Sequence, residues 1–373
     1  MSTKPDSKKI RYAVVALGYI DQIAVLPAFK HAQKNSELVA VVSDDAKKKN
    51  VLTKKYKIPF AYSYDEYEDC LESGQIDAVY IGLPNHMHRE YTLRALNKGI
   101  HVLCEKPMAL STADCQSMID AAHKNNAKLM IAYRLHFQKA NMEAVQIAHS
   151  GKLGDLRFFN STFSMNVRPG NIRTQKATGG GAINDIGIYC INAARYLFRD
   201  EPCSVAAILE SNQDPRFRTV EEMAGTVLQF PKNRLATFMC SFNGPDIATY
   251  VIAGTKGFVH LESSYEYSEP MKMTVTINGK SKVKQYAKQD QFAPELLYFS
   301  DCILKNKSIT PSGTEGLMDI HVIEALKKSS QERKTISIPN NQYLQRRPNA
   351  KMVITKPGIK KPKLVNAQPA SSS

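Results

Sequence analysis

Short apolar runs alternate with charged, amphipathic stretches over the first 135 residues of the chain. The apolar runs are predicted strands, at residues 10–17, 37–43, 76–83, 101–107 and 128–135. The stretches between them are predicted helices, at residues 19–34, 44–57, 88–99 and 111–126. Fully apolar strands that alternate with helices are typical of a parallel sheet covered on both faces. We therefore expect an α/β domain that binds its ligand at the carboxyl ends of its strands.

This alternation ends near residue 136, and strand-like runs then follow one another without helices between them. Helices are predicted at residues 138–149 and 184–199, then strands at 204–210, 226–230, 235–242, 249–263 and 273–280. Two more helices, at 291–306 and 314–330, and a short strand at 335–338 complete the pattern. Closely spaced strands are typical of an antiparallel sheet. The sequence thus predicts an α/β domain over residues 1–135 and a second one, with an open and mainly antiparallel sheet, over residues 136–340.

The C-terminal segment, residues 341–373, differs in composition from both predicted domains. It contains seven of the basic residues behind the net charge of +15 and no acidic residue. Such a composition buries little surface, so we expect a flexible tail that is a solvated arm or a strap over a subunit surface. Nucleic-acid binding by this tail is unlikely because Tyr343 is its one aromatic residue.

Composition excludes several other classes of protein. With 43% hydrophobic and 23% charged residues the chain is an ordinary globular protein, and no apolar run reaches the roughly 18 residues of a membrane span. The N-terminal segment lacks the apolar core of a signal peptide, so a cytoplasmic location is expected. The seven scattered cysteines contain no CxxC pair, which argues against a disulfide framework or a zinc site. His86 and His88 are too weak a signal for a metal, and no metal site is expected.

The turn after the first strand carries part of a dinucleotide-binding motif. In place of the three small residues of G-x-G-x-x-G, the chain has Ala16, Gly18 and Asp21. Gly18 is the position at which backbone approaches a pyrophosphate. Asp21 would repel a phosphate if it pointed inward, so we expect it to point aside or to cap the helix. The turn indicates a nucleotide site because it lies between a buried strand and a helix.

The end of the second strand indicates which dinucleotide is bound. Ser43 closes that strand and leaves room for a 2′-phosphate, and Lys48 lies close by in the sequence. This pattern weakly favours NADP. The alternative is that Asp44 turns inward and binds the ribose of NAD.

Further polar groups fall at the ends of other predicted elements. Glu105 and Lys106 interrupt the fourth of the five predicted strands, and Pro107 keeps Lys106 out of the helical conformation. In the helix at 184–199, Asp185 and Tyr189 are four residues apart and share one face. By themselves, a solvated ion pair at a loop and a capped helix start with a buried tyrosine would also explain these residues.

Taken in order, Gly18 in its turn, "PNHMH" (84–88), "CEKP" (104–107) and "DIGIY" (185–189) resemble the Gfo/Idh/MocA oxidoreductases. The resemblance covers about residues 10–338 and is strongest to the glucose–fructose oxidoreductase-like branch. It implies an N-terminal Rossmann domain and a C-terminal α/β domain whose open sheet forms a homodimer or homotetramer. It also implies a nicotinamide cofactor, NADP or NAD, and a carbohydrate or polyol substrate.

The resemblance also assigns roles to individual residues. Its catalytic residues are Lys106, Asp185 and Tyr189. The residues expected to bind the cofactor are Gly18, Tyr19, Ile20, Ser43, Asp44, Lys48, Pro84, Asn85, His88, Glu105 and Lys106. The residues expected to bind the substrate are Arg134, His136, Asn184, Asp185 and Tyr189.

The expected chemistry is hydride transfer between a sugar or polyol carbon and C4 of the nicotinamide. Tyr189 would move the hydroxyl proton, Asp185 would hold a neighbouring hydroxyl, and Lys106 would hydrogen-bond the reacting oxygen with its pKa lowered towards neutrality by burial. A sugar transhydrogenase is a variant of this function. The alternatives are a redox-assisted glycosidase or lyase on the same fold and a non-enzymatic nucleotide-binding regulator.

Overall fold

Two sheets organise the chain, one parallel and one mostly antiparallel. The computed structural model describes residues 8–339 and 353–371. The strands of the first sheet are β1 (Ile10–Val15), β2 (Ser36–Val42), β3 (Phe60–Tyr62), β4 (Ala78–Ile81), β5 (His101–Cys104) and β6 (Leu129–Ile131). All are parallel, in the order β3-β2-β1-β4-β5-β6. The chain reverses direction across the sheet between β1 and β4, and ligands bind at such a reversal in this type of sheet.

Helices cover the first sheet as the alternating pattern predicts. They are α1 (Leu26–Ala32), α2 (Ala46–Tyr56), α3 (Tyr67–Glu72), α4 (His88–Asn97) and α5 (Thr112–Lys124). The predicted helix at 19–34 is in fact a π-helical turn, Asp21–Val25, followed by α1. At the start of α5 the Ser111 hydroxyl accepts a hydrogen bond from the Asp114 amide, which satisfies one of the free N–H groups of the first turn.

Within the described residues, the second sheet has nine strands. They are β7 (Leu156–Asn166), β8 (Ser204–Glu210), β9 (Met223–Phe230), β10 (Arg234–Ser241), β11 (Asn243–Gly254), β12 (Gly257–Glu262), β13 (Met271–Ile277), β14 (Lys280–Tyr286) and β15 (Ile336–Ser337). Their order is β14-β13-β12-β11-β7-β10-β9-β8-β15. The pair β7–β10 is parallel and the other pairs are antiparallel. The mainly antiparallel sheet is therefore confirmed, although β7, which lies at its centre, is absent from the sequence prediction.

The remaining helices are α6 (Lys139–Ala148), α7 (Ile188–Phe198), α8 (Phe292–Leu304) and α9 (Gly313–Glu332). Helix α8 packs against the first sheet, where Phe292 and Leu296 share an apolar cluster with Tyr12 and Val14. The second predicted domain thus contributes a covering helix to the first. The domain boundary at residue 135 stays a prediction. Helix α8 belongs by sequence to the second predicted domain but packs against the sheet of the first.

Residues 353–371, which we call the C-terminal strap, lie against the rest of the chain, and the flexible tail expected over residues 341–373 stays a prediction. The backbone groups of the strap hydrogen-bond to Gln22, Arg168 and Asp290. Residues 341–352 and 372–373 of the predicted tail lie outside the described residues.

None of the helices within the described ranges combines the length and apolar character that a membrane crossing requires. Across the same ranges, no group of three or more His, Cys, Asp or Glu side chains could hold a metal ion.

Candidate active site

A cavity of about 920 Å³ lies between the two sheets, where the carboxyl ends of β1, β4 and β5 meet. Gly18 follows β1, Pro84 follows β4 and Lys106 follows β5, and all three line it. Arg134 and Tyr189 line its inner end. Cavities of roughly 300–1,000 Å³ hold cofactors and small substrates. The site lies where the parallel sheet predicts a ligand.

The turn after β1 departs from the dinucleotide motif in its backbone as well as its sequence. Ala16 is 5% exposed and has a φ of +107°, a conformation that side chains disfavour and glycine adopts readily. The backbone therefore keeps the geometry of the first glycine of the motif although the residue is alanine. This turn carries strain that a glycine would not.

Asp21 is fully buried in the wall of the cavity, beneath the turn. Its Oδ2 accepts a hydrogen bond from the Gly18 amide at 2.8 Å. Its Oδ1 lies so close to Gly82 that an added Cβ there would be 2.1 Å away. Burial raises the pKa of Asp21 well above its usual value, and the nearby Glu105 adds to the rise. The neutral acid is favoured, and a neutral acid does not repel a phosphate.

At the carboxyl end of β2, the side chains of Ser43 and Asp44 have different surroundings. Ser43 and Lys48 line the cavity, whereas the Asp44 carboxylate accepts a hydrogen bond from the Tyr64 amide at 2.8 Å. Asp45 caps α2 by accepting from the Lys48 amide at 2.9 Å. A hydroxyl and an ammonium group, rather than a carboxylate, thus face this end of the cavity.

Lys106, Asp185 and Arg173 form a buried ionic cluster at the opposite end. Lys106 Nζ donates to the Asp185 carbonyl oxygen at 2.9 Å and to its Oδ1 at 3.1 Å. Arg173 Nε donates to Asp185 Oδ2 at 2.6 Å. Burial alone would raise the pKa of Asp185, but Arg173 and Lys106 outweigh it and hold that pKa well below its usual value. The carboxylate is therefore ionised and rigidly held.

Tyr189 lies between two cations in the same cavity. The Lys106 ammonium is 4.6 Å from the centre of the Tyr189 ring, and Arg134 Nη2 donates to Tyr189 Oη at 3.2 Å. Both cations stabilise negative charge that develops on the phenol oxygen. Lys106 and Arg134 follow β5 and β6 of the first sheet, whereas Tyr189 is on α7, so the cluster joins the two halves of the chain.

The expected lowering of the Lys106 pKa is wrong. Burial does lower the pKa of this lysine, but the charges of Asp185, Tyr189 and Glu105 more than compensate, and the pKa is raised. Lys106 therefore stays an ammonium group at neutral pH.

The expected nicotinamide-side residues line the cavity and fix its walls. Glu105 accepts a hydrogen bond from the Tyr80 hydroxyl at 2.6 Å, and burial raises the pKa of Glu105. Asn85 Nδ2 donates to the Gly179 carbonyl at 2.9 Å. The His88 ring lies between the carbonyls of Pro107 and Leu83, and burial lowers its pKa. Tyr19 and Ile20 also line the cavity.

Two of the expected substrate residues lie outside the cavity lining. His136 is fully buried, and its Nε2 pairs with Asn192 Oδ1 at 2.8 Å. Asn184 donates to the carbonyls of Gly179 and Gly180 and accepts from Lys327. The structure places both behind the site, where they support its walls.

Sequence reasoning missed Arg173 and other residues from the second half of the chain that line the site, such as Tyr267 between β12 and β13 and Gln291 at the start of α8. Gln291 accepts from Arg134, and the Arg134 guanidinium lies 5.3 Å from the centre of the Tyr267 ring. Arg173 lies in a loop before the Gly-rich run 179–181, where a lone basic residue resembles an ordinary solvated charge. No spacing rule connects it to Asp185, so only the fold reveals the pair.

The residues present fit a nicotinamide dinucleotide. Lys48 and Ser43 supply a cation and a hydroxyl at the outer end of the cavity, and the start of the helical segment beyond Gly18 supplies backbone donors at the same end. Lys106 and Tyr189 supply an ammonium group and a phenol at the other end. The neutral form of Asp21 removes a charge that would oppose a pyrophosphate at the turn.

Comparison with protein families and solved structures agrees with this geometry. Residues 10–133 match the family described as "Oxidoreductase family, NAD-binding Rossmann fold", and residues 142–260 match the "GFO/IDH/MocA C-terminal domain". The crystal structure of an aldose-aldose oxidoreductase from Caulobacter crescentus is 35% identical and superposes with a TM-score of 0.85, covering 89% of this chain and 100% of that one.

Two curated relatives extend the comparison. A D-xylose 1-dehydrogenase [NADP(+)] of Haloarcula marismortui is 27% identical over 335 residues, which is 88% of this chain and 93% of the relative. A trans-1,2-dihydrobenzene-1,2-diol dehydrogenase of Xenopus laevis is 30% identical over 263 residues, which is 70% of this chain and 75% of the relative. The chain therefore belongs to the Gfo/Idh/MocA family of NAD(P)-dependent oxidoreductases, and its first sheet carries the family's Rossmann domain.

Proposed function

We propose that this protein transfers hydride between a CH–OH carbon of a sugar or polyol and C4 of a nicotinamide cofactor, with NADP preferred. The observation that carries the proposal is the convergence of Lys106, Asp185 and Tyr189 at one end of the cavity. The nicotinamide supplies the hydride chemistry when it is bound. The names of the relatives support a sugar or vicinal diol as the substrate class.

In this scheme Tyr189 Oη, as a phenolate, takes the proton of the substrate hydroxyl during oxidation, and as a phenol it donates that proton back during reduction. Arg134 and Lys106 stabilise the phenolate form, which is present before oxidation and after reduction. Lys106, as a permanent ammonium group, also stabilises charge on the reacting oxygen. Asp185 positions Lys106 and, through an oxygen that Arg173 holds in place, accepts a hydrogen bond from a neighbouring substrate hydroxyl.

The preference for NADP rests on the carboxyl end of β2. Lys48 and Ser43 face the cavity while Asp44 is paired with the Tyr64 amide. A carboxylate that faces the ribose favours NAD, whereas a cation and a small hydroxyl accommodate a 2′-phosphate. The expected result is a KM for NADP⁺ at least about tenfold lower than for NAD⁺.

The test is a panel of aldoses, ketoses and polyols with each dinucleotide, followed by absorbance at 340 nm. Mass spectrometry of cofactor released from the purified protein identifies the bound form. A sugar-dependent change at 340 nm is the expected outcome. Bond cleavage or elimination with no net change in absorbance would instead assign a redox-assisted glycosidase or lyase, and binding without turnover on the whole panel would assign a regulator.

We also propose that the protein is a homodimer or homotetramer through its second sheet. Phe158 on β7 lies opposite Leu235 on β10, and Met239 follows on the same face. All three are exposed, as are Val227 and Ile208 on the adjoining strands. An apolar sheet face of this kind marks an interface.

Light scattering tests this interface. The double variant Leu235→Glu, Met239→Glu should be a monomer, while the control Val51→Glu on α2 should leave the assembly unchanged. A monomeric wild type would contradict the proposal.

A further inference from the structure

The C-terminal strap crosses the mouth of the cavity. Its residues Ile359 and Lys361 line the cavity near the turn after β1, and Pro369, Ala370 and Ser371 line it further along. The strap is thus part of the wall of the site, although its composition predicts a solvated tail.

The strap is held at both ends of its course by the second half of the chain. The Asp290 amide donates to the Lys356 carbonyl at 3.2 Å. At the other end, the Arg168 amide donates to the Ala370 carbonyl at 2.9 Å and Arg168 Nε donates to the Ser371 carbonyl at 2.7 Å. These contacts fix where the strap enters and leaves the cavity mouth.

Between these ends the strap binds the dinucleotide turn directly. Gln22, which is 1% exposed, accepts from the Val365 amide at 2.8 Å and donates to the Val365 carbonyl at 2.8 Å. The same side-chain amide donates to the Leu17 carbonyl at 2.9 Å. One residue of the turn region thus connects the strap to the backbone that would cradle a pyrophosphate.

The strap also makes an apolar and a polar contact beside this point. Ile359 and Val365 pack against the apolar cluster that includes Leu17 and Phe292. Asn366 Nδ2 donates to Asp45 Oδ2 at 3.1 Å, at the cap of α2. The strap therefore spans the cavity from the second half of the chain to the end where Ser43 and Lys48 lie.

We propose that the C-terminal strap is a binding element of the dinucleotide site, in which Lys361 supplies a cation to the anionic cofactor and Ile359 and Gln22 hold the segment closed over it. The proposal rests on the proposed function in that it takes the cavity to be the cofactor site. Cofactor can leave such a site only after the strap opens, so the strap sets the rate of cofactor release.

The test compares two adjacent lysines in the full-length protein. Lys361 lines the cavity and Lys360 does not, so Lys361→Gln and Lys360→Gln remove equal charge. Each protein is first loaded with NADPH and then mixed with excess NADP⁺. The change in NADPH fluorescence after mixing gives the rate of NADPH release. We expect Lys361→Gln to weaken NADPH binding about threefold to tenfold and Lys360→Gln to stay within twofold of wild type.

A second variant tests closure itself. Ile359→Asp places a charge in the apolar contact of the strap and is expected to speed NADPH release about tenfold or more. Hydrogen exchange at the Val365 amide is expected to slow when NADPH is added, because closure and cofactor binding favour each other. The strap proposal is overturned, while the proposed function stands, if the wild type binds NADPH but three results are unchanged. These are NADPH release from Lys361→Gln, NADPH release from Ile359→Asp, and hydrogen exchange at the Val365 amide on addition of NADPH. If the wild type binds no NADPH or NADH, the proposed function fails first.

Discussion

The two ends of the cavity are built on different physical principles. At the inner end, Lys106, Asp185 and Arg173 are charged groups whose hydrogen bonds are satisfied by one another. At the outer end, the turn holds Ala16 in a glycine-like conformation and buries the Asp21 carboxyl, whose raised pKa favours the neutral acid. Under the proposed function, the inner end would carry the chemistry, while the outer end would hold the cofactor through backbone shape and the strap.

Removal of the inner-end ammonium is expected to have the largest effect. Lys106→Met should lower kcat at least ~100-fold, since general acid–base and electrostatic groups contribute on that scale. Tyr189→Phe should fall in the same range because it removes the proton-carrying oxygen. Steady-state kinetics at 340 nm measure the loss, and cofactor fluorescence shows whether binding persists.

The matched control is Lys98→Met, which removes an exposed lysine paired with Glu72 and should leave kcat unchanged. Turnover that survives both Lys106→Met and Tyr189→Phe would make the assigned chemistry wrong.

The buried histidine behind the inner end is expected to limit stability in acid. Burial lowers the pKa of His136 to about 4, below its ordinary value, so the unfolded state takes up the proton first. The contribution is present above about pH 6.5 and is lost as the pH falls, by about 2 kcal/mol between pH 7.5 and 5. Urea unfolding at the two pH values measures this slope.

His136→Gln keeps a donor for Asn192 without titrating, so its stability should change less over this range than that of the wild type. His123→Gln, at an exposed position on α5, should retain the wild-type slope. Equal slopes for wild type and His136→Gln would show that His136 is not the responsible group.

Loss of Arg173 is expected to have a smaller effect that is visible in the pH profile. In Arg173→Met one of the two cations that lower the pKa of Asp185 is gone, so this carboxylate should take up a proton at a higher pH than in the wild type. The acid limb of kcat/KM should move to higher pH, and KM for the sugar should rise about tenfold.

Arg89→Met, which removes an arginine of an exposed pair with Asp114, is the control and should leave both unchanged. If the acid limb of the kcat/KM profile does not move in Arg173→Met, the protonation state of Asp185 does not control substrate binding.

The smallest effect is expected at the outer end. Ala16→Gly relieves the positive φ and should stabilise the fold by up to about 1 kcal/mol, less the added freedom of glycine in the unfolded chain. Ala13→Gly, within β1, should instead destabilise it by about 1 kcal/mol. Thermal unfolding measures both, and a destabilised Ala16→Gly would show that the alanine methyl makes a favourable contact.

The hydrophobic periodicity of the sequence was sufficient to predict those parts of the fold that consist of alternating apolar and polar segments. The parallel strands other than β3 and most helices follow from that pattern. It missed β3, which has three residues, and β7, whose segment "NSTFSM" is rich in polar residues that bond across the sheet, as Ser161 does to the Thr249 carbonyl. A strand stabilised by such contacts carries little apolar signal.

The motifs singled out Lys106, Asp185 and Tyr189, which the structure brings together, but they did not predict the electrostatics of this cluster. Burial and neighbouring charges shift the pKa of Lys106 in opposite directions, and their balance depends on where Asp185 and Glu105 lie. His136 and Asn184 were misplaced because a polar residue near a strand or helix end can support a wall as well as line it. A strap was one of the two expectations for the tail, and composition could not decide between them because the backbone of this segment, rather than its side chains, makes most of its hydrogen bonds.

The two hydrogen bonds between Gln22 and the backbone of Val365 bear on which amino-acid substitutions the strap tolerates. A side-chain amide that pairs with both main-chain groups of one residue recognises the peptide unit and is indifferent to the side chain attached to it. A substitution at position 365 therefore leaves these two hydrogen bonds available, although it changes the apolar contact of the Val365 side chain. Proline at position 365 is the exception, since it has no N–H to donate.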